Sequence, residues 1–495
     1  MSMNYFKLLK KIQKENSEKS FLIVDGKFYT YEDVYKKTRL FIDVLKNIQV
    51  INEENTNESC KKTVLIYSDD FYFQIISFFA INGTHAIPII AHHNLPHEVL
   101  NKIIINNNIN YVLSNKEISG ISEDGFVKEI LLHKKLNYKK NGIEYKENIQ
   151  ISKHEVLCNI YVYGPQMLKE SINVNSEVCM GVLTSGSTGV PKVLYRTYES
   201  WAEFFDIQNN IFKINSNSKL FINGSLSFTG NLNAVMSTLY EGGSIVSLTS
   251  FKCKQWIKTF EEMKITNIYL VPSKLRMLTK LVKKRINSVK SIFTGSELLI
   301  YAVADRLKQI FPESELILYY GASELNYITY ITYKEMYVNP LSVGRPFPNM
   351  DVFIKNDFIY VNTKYHVEGM TNPCTVYDAG YIDDNGYLIF KGRKDDIVNK
   401  GGIKISCLKI ETEINKINGV KENAVIPYAD DKKGNEMAAF VVADKQVTRD
   451  YIIDNLKSKI MNIEIPKKII FVKNIPRNCS GKIDKVFINN ISALG

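Results

Sequence analysis

The segment GVLTSGSTGVPKVLYR, residues 181–196, sets three glycines, the hydroxyls of Thr184, Ser185, Ser187 and Thr188, and Lys192 between two apolar runs. Glycines let a backbone approach a ligand closely, hydroxyls donate hydrogen bonds, and a lysine offers a point charge. Together these residue types suit an oxyanion, and phosphate above all. The loop is not a P-loop of the GxxxxGK[ST] kind, because Gly186 and Gly189 have the wrong spacing and Val193 follows the lysine. By itself a Ser/Thr/Gly-rich loop also reads as a surface linker. Further along, YGASE sets Tyr320 four residues before Glu324; by themselves these read as a core aromatic and a solvated carboxylate.

The elements that must position these residues show in the hydrophobic rhythm. From residue 64, VLIY, AIPII and NYVLS read as buried strands, separated by the helical stretches FYFQIISFFAI and HEVLNKIIINN. The same alternation returns as SIVSL, KQWIKTFEEMK, NIYLVP, SKLRMLTKLVKK, SIFTG, LIYAVADRLKQIF and ELILYYG, which predicts parallel sheets covered by helices on either side of the glycine-rich loop. After about residue 335 short strands take over, with Asp384-Asn385-Gly386 as a hairpin turn. Beyond Asp395, LKIETEINKI, ENAVIPYA, MAAFVVAD, DYIIDNLKSKIM and KIIFVKN predict a small α+β domain.

Composition narrows the class. A chain of 495 residues with 45% apolar content can bury at least two cores. The most apolar stretch, FQIISFFAINGTHAIPIIA, is broken by Asn82, Gly83, Thr84 and His85, short of the ~18 consecutive apolar residues a spanning helix requires. The N-terminal segment reads as a basic amphipathic helix without the apolar core of a signal peptide, so a cytoplasmic location is expected. Seven cysteines, Cys60, Cys158, Cys179, Cys253, Cys374, Cys407 and Cys479, form no CxxC pair, which fits reduced thiols better than disulfides or zinc. The net charge of +11 is spread along the chain rather than clustered, which argues against nucleic acid and would suit an anionic nucleotide or an acidic partner.

Four motifs in order resemble the adenylate-forming (AMP-binding) superfamily, which includes acyl- and aryl-CoA synthetases, peptide-synthetase adenylation domains and luciferases. They are the loop at 184–192, YGASE at 320–324, GRKDDIVNKGG at 392–402 and PRNCSGKIDK at 476–485; TYEDV at 30–34, GGSIV at 242–246, TGSE at 294–297 and VGRPFPN at 343–349 are weaker matches. The resemblance implies an α/β fold, with a large N-terminal domain of parallel α/β sheets plus a distorted β-barrel-like part over 1–394, and a small mobile α+β domain over 395–495 hinged at Asp395.

It also implies residue roles. Thr184, Ser185, Gly186, Ser187, Thr188, Gly189 and Lys192 would hold the β- and γ-phosphates of ATP. Tyr320, within Tyr320-Gly321-Ala322-Ser323, would stack on adenine, Gly295, Ser296 and Glu297 would line the purine, and Glu324 would bind Mg²⁺. The family's ribose-binding TGD triplet is matched by Asp378, with Val376 and Tyr377 in place of Thr and Gly, and the ribose role extends to Arg393. Lys482 would approach the carboxylate being activated and the α-phosphate, a cation offsetting charge crowding during in-line attack. In a second pose of the small domain, Lys400, Gly401 and Gly402 would line a thiol tunnel.

Counting back from Gly242 places Phe228 and Thr229 where amino-acid-activating relatives carry Phe-Asp, the aspartate gripping the α-ammonium. Thr229 has no formal charge, and a buried ammonium without a counter-ion is costly, so an aryl or acyl acid lacking an α-amino group is expected. Asn231 and Tyr327 are further pocket candidates. The expected reaction is formation of acyl-AMP followed by transfer to a thiol. The acceptor is free CoA or a separate carrier protein, since about ten residues follow the last motif and a fused carrier is not expected. The alternatives are a stand-alone amino-acid adenylation enzyme loading a carrier in trans, and a nucleotide-binding regulator without catalysis. Retention of Lys192, Glu324, Asp378, Arg393 and Lys482 argues against the latter.

Overall fold

The computed structural model describes residues 3–47, 60–116, 118, 126–131, 137–140, 143–146, 160–165, 172–184, 191–282, 284–340, 342–393, 396–400, 403–430, 434–477 and 483–484. Its contacts divide the chain into two compact units, one comprising Met1–Asn326 with Lys364–Met370 and the other Tyr327–Thr363 with Thr371–Gly495. The expected strand and helix at each quoted stretch is present among these residues.

The first unit holds two large sheets. In one, the strands run in the order Lys192–Thr197, Val178–Thr184, Ile87–Ala91, Thr63–Tyr67, Tyr111–Ser114, Ile160–Pro165 and Phe126–Leu131. Its centre is parallel and both flanks are antiparallel. Helix Phe71–Gly83 begins where Asp70 accepts the Phe73 N–H at 3.0 Å, and it is buried along nearly its whole length. That accounts for a run apolar on every face rather than along one stripe.

In the second sheet the order is Lys27–Thr30, Ser20–Val24, Ser244–Ser247, Lys219–Ile222, Asn267–Tyr269, Ser291–Thr294 and Glu315–Ala322. All neighbours from Ser20–Val24 onward are parallel. After Lys219–Ile222 the chain crosses through helix Thr229–Tyr240 to the strand on one side, whereas after Asn267–Tyr269 it crosses through helix Pro272–Leu281 to the strand on the other. Crossovers are right-handed, so these two helices lie on opposite faces and their entry loops part between adjacent strands. Such a switch point at the carboxyl ends of parallel strands is where open α/β sheets bind ligands.

The second unit contains an antiparallel run in the order Asn326–Thr332, Ser342–Pro346, Leu388–Arg393, Asp378–Ile382, Phe358–Asn362 and Asp351–Lys355, where a barrel-like part was expected. The predicted turn is formed by Asp383, whose Oδ1 accepts the N–H groups of Asn385 and Tyr387, with Gly386 at φ +79°. The same unit carries a three-stranded sheet, Val420–Asp430, Gly434–Ala443 and Lys468–Phe471, with helices Cys407–Asn415 and Arg449–Lys457 around a core that includes Ile410, Ile414, Val441 and Ile452. The division expected at Asp395 differs from this division by contacts, and Asp395 itself lies outside the described residues. Cys179, Cys253, Cys374 and Cys407 are buried free thiols. Among the described residues no helix is long and apolar enough to cross a membrane.

Candidate active site

Thr184 and Lys192 face each other as the last register pair of an antiparallel hairpin, Val178–Thr184 with Lys192–Thr197. Their loop residues Ser185, Gly186, Ser187, Thr188 and Gly189 lie outside the described residues. The Lys192 side chain is exposed.

Four residues beyond Lys192, Arg196 is fully buried. Its guanidinium donates to the Ser323 carbonyl at 2.6 Å, the Tyr365 carbonyl at 3.1 Å and the Ser200 hydroxyl at 3.3 Å. Burial pulls its pKa down to about 10, against the opposing fields of Tyr5 and Glu324. Arg196 therefore ties the strand that starts at Lys192 to the YGASE segment. Tyr320, Gly321 and Ala322 end the strand Glu315–Ala322, and Ser323 and Glu324 turn away from it, all five half-buried and so reachable by a ligand. The Glu324 carbonyl accepts the Val367 N–H at 2.9 Å, which holds the turn from its other side.

Glycine is required at two places by close approach. A Cβ on Gly295 would fall 2.4 Å from the Tyr319 ring, and one on Gly230 would fall 1.9 Å from the Tyr269 hydroxyl. Those two tyrosines share a hydrogen bond of 2.7 Å beneath the loop ends. Ser296 is exposed at φ +69°. The Glu297 carboxylate accepts from the Ser273 N–H at 3.1 Å and the Ser273 hydroxyl at 3.3 Å, so it caps helix Pro272–Leu281.

Three of the pocket candidates, Phe228, Thr229 and Asn231, lie together at the switch point. Phe228 precedes helix Thr229–Tyr240, and its ring lies 5.2 Å from that of His92. The Thr229 hydroxyl meets the Ser323 hydroxyl at 3.0 Å, joining the pocket to YGASE. Asn231 is buried and donates to the Ser225 carbonyl at 3.0 Å. Gln74 steadies the loop by accepting the Leu226 N–H at 3.0 Å and donating to Ser225 at 3.2 Å. Tyr327 belongs to the second unit, where it is buried and stacks on Phe347 at 6.1 Å.

In the second unit Asp378 and Arg393 are register partners on adjacent strands, 3.9 Å apart between Oδ1 and Nε, with Asp378 only 6% exposed. Tyr377, at the glycine position of the family's triplet, sits at φ +59°, a left-handed conformation that glycine adopts freely and tyrosine does not. Lys400 ends the strand Ile397–Lys400 and pairs at 2.8 Å with Glu436, which is 2% exposed. Gly401, Gly402 and Lys482 lie outside the described residues.

Sequence reasoning missed Arg196, His92 and Lys274. Lys274 was legible only as a cation in the first turn of a helix, the wrong end for its charge. Its ammonium donates to the Asn223 carbonyl at 2.7 Å and the Asn223 side-chain oxygen at 2.9 Å, and burial lowers its pKa to about 8. His92 is pushed down to about 4, by burial first and then by His93 and Lys274.

The first unit thus places YGASE at the carboxyl end of a parallel strand, where open α/β sheets bind ligands. The AMP-binding enzyme family matches residues 9–363, and its C-terminal domain matches residues 409–482. The chain belongs to the AMP-binding enzymes. It is 31% identical over 320 residues to an uncharacterized acyl-CoA ligase, YhfT, of Bacillus subtilis (strain 168), an alignment that spans 61% of this chain and 66% of that protein. Among solved structures it resembles the o-succinylbenzoate CoA synthetase MenE of Bacillus subtilis in complex with the acyl-adenylate intermediate OSB-AMP, at a TM-score of 0.77 and 17% identity, covering 98% of this chain and 97% of that one. The same enzyme in complex with ATP and magnesium ion gives a TM-score of 0.77 at 17% identity, with 98% of each chain covered.

Proposed function

We propose that this protein is an AMP-forming acid–thiol ligase whose substrate is an aryl or acyl carboxylic acid without an α-amino group, with CoA as the thiol. A carboxylate oxygen attacks the α-phosphorus of ATP and pyrophosphate leaves. A thiolate then attacks the acyl carbon and AMP leaves, so that the thioester forms without a bare carboxylate oxygen as leaving group. The observation that carries the choice of acid is Thr229: where an ammonium-binding carboxylate would stand there is a hydroxyl, committed at 3.0 Å to Ser323.

In this reading Thr184, Lys192 and the loop between them hold the β- and γ-phosphates, Tyr320 stacks on adenine, and Gly295 to Glu297 line the purine edge. Asp378 and Arg393 take the ribose. Glu324 offers Mg²⁺ one half-exposed carboxylate, which suits an ion that draws its other ligands from phosphates and water. Bound there, Mg²⁺ supplies charge neutralisation at the phosphates. Lys482 offsets charge during the first half-reaction, and a hinge at Asp395 brings Lys400 to Gly402 toward the thiol for the second. With the Lys400 side chain engaged by Glu436, backbone rather than ammonium is left to line the tunnel.

Pyrophosphate release across a panel of carboxylic acids, without thiol, tests the reading. Simple aryl or acyl acids are expected to release it faster than any proteinogenic amino acid; robust release with an amino acid and none with simple acids would reverse the assignment.

A further inference from the structure

The loops leaving strands Lys219–Ile222 and Asn267–Tyr269 lie where their crossover helices part to opposite faces, and the side chains there include the hydrogen-bond donors Asn231 and Lys274 beside the Phe228 ring. An ideal Cβ on Gly224 would lie 3.2 Å from the Asn231 amide nitrogen, 3.6 Å from the Lys274 ammonium and 3.7 Å from the Phe228 ring, so these groups meet around one point. The Phe228 ring is in turn 5.2 Å from His92. His92 Nδ1 accepts the Asn94 N–H at 3.1 Å, and a neutral imidazole bound in that way carries its proton on Nε2, as a donor.

Lys274 is held here against several costs. It stands in the first turn of helix Pro272–Leu281, where the helix dipole disfavours a cation, and its ammonium is half-buried, 5.6 Å from the Phe251 ring centroid. The neighbouring carboxylate of Glu297 spends hydrogen bonds on Ser273, and the other titratable groups whose fields reach Lys274 are Cys253 and His92. Two ammonium protons go to Asn223, and an ammonium carries a third. Gly224, Phe228 and Thr229 beside it are all partly exposed, so the wall is open to a ligand.

We infer that Lys274, with Asn231 and His92 beside it, forms a subsite for a second carboxylate on the substrate, so that the acid activated is a dicarboxylic acid whose distal end is bound at this switch point. This rests on the acid-activating reading above and narrows its substrate class. Phe228 would flank the carbon chain or ring between the two carboxylates. Burial leaves Lys274 with a pKa near 8, so it is still charged at neutral pH.

Calorimetric binding without ATP tests the subsite independently of turnover. The probes are length-matched pairs, pentanoate against glutarate, hexanoate against adipate and benzoate against terephthalate, titrated into the wild type, Lys274→Met and Lys274→Gln. Gln retains a donor toward Asn223 without the charge, which separates loss of charge from loss of fold. The wild type is expected to bind at least one diacid about 10- to 100-fold tighter than its monoacid partner, the range for one charge-assisted hydrogen bond. Both variants should erase that preference while leaving monoacid affinity unchanged. Equal weakening of both members of each pair, no diacid preference in the wild type, or no binding of either series would each overturn the subsite. Binding with preference but without pyrophosphate release would instead remove the acid-activating reading and leave the subsite standing.

Discussion

Replacing Arg196 by methionine removes a fully buried guanidinium and leaves the Ser323 and Tyr365 carbonyls without their donor. Hydrogen bonds from a charged donor contribute about 1.5–3 kcal/mol each, so losing the two carbonyl bonds costs about 3–6 kcal/mol gross. Relief of the guanidinium's own desolvation offsets part of this, leaving a net loss of about 2–4 kcal/mol. At about 2–4 °C per kcal/mol for domains of 150–250 residues, and less for a larger unit, the melting temperature should fall by about 5–10 °C. Arg196→Lys keeps the charge but not the planar fork that reaches both carbonyls, so it should cost less stability and still displace the turn that presents Glu324. The diagnostic assay is pyrophosphate release as a function of Mg²⁺ concentration, alongside melting curves. Arg196→Lys is expected to require more Mg²⁺ for half-maximal rate at a temperature where it remains folded. A methionine variant melting within about 1 °C of the wild type, or a lysine variant with unchanged Mg²⁺ dependence, would refute the role of Arg196 as the tie between Lys192 and YGASE.

Lys482→Ala should abolish acyl-AMP formation while transfer from supplied acyl-AMP to CoA largely survives; single-turnover assays of each half-reaction check this, and equal losses in both would contradict a lysine presented in one pose. Because Tyr377 sits at φ +59°, Tyr377→Gly should change unfolding free energy by less than about 1 kcal/mol, whereas Tyr377→Val should lose about 1–2 kcal/mol more, as read by denaturant melts. His92 has a folded pKa near 4 against an ordinary 6.5, so the unfolded chain binds more protons between those values and stability is lost as pH falls from 6.5 to 4. At 1.36 kcal/mol per pH unit the bound is about 3 kcal/mol, which solvent screening of its exposed part reduces to about 1–2 kcal/mol; His92→Gln should flatten the acid limb of the stability profile by that amount.

The order of strands and helices was legible because burial on both faces of a parallel sheet writes continuous apolar runs such as SIVS and SIFT, and covering helices write a period near 3.6. Motif residues such as Tyr320, Glu324 and Asp378 were legible because their types, order and spacing recur in the family. Sequence spacing carried no information about Arg196, whose partners Ser323 and Tyr365 lie 127 and 169 residues away. Nor did it reveal that Asn223 and Lys274, 51 residues apart, meet. That meeting follows from strand order: Lys219–Ile222 and Asn267–Tyr269 become neighbours only after the chain has gone out to Ser244–Ser247 and returned across the sheet. Local propensity fixes which segments are strands, but which strands lie side by side is decided by the handedness of the crossovers and by the closure of the core between them. The donor-lined corner holding Lys274 is therefore a product of tertiary structure alone.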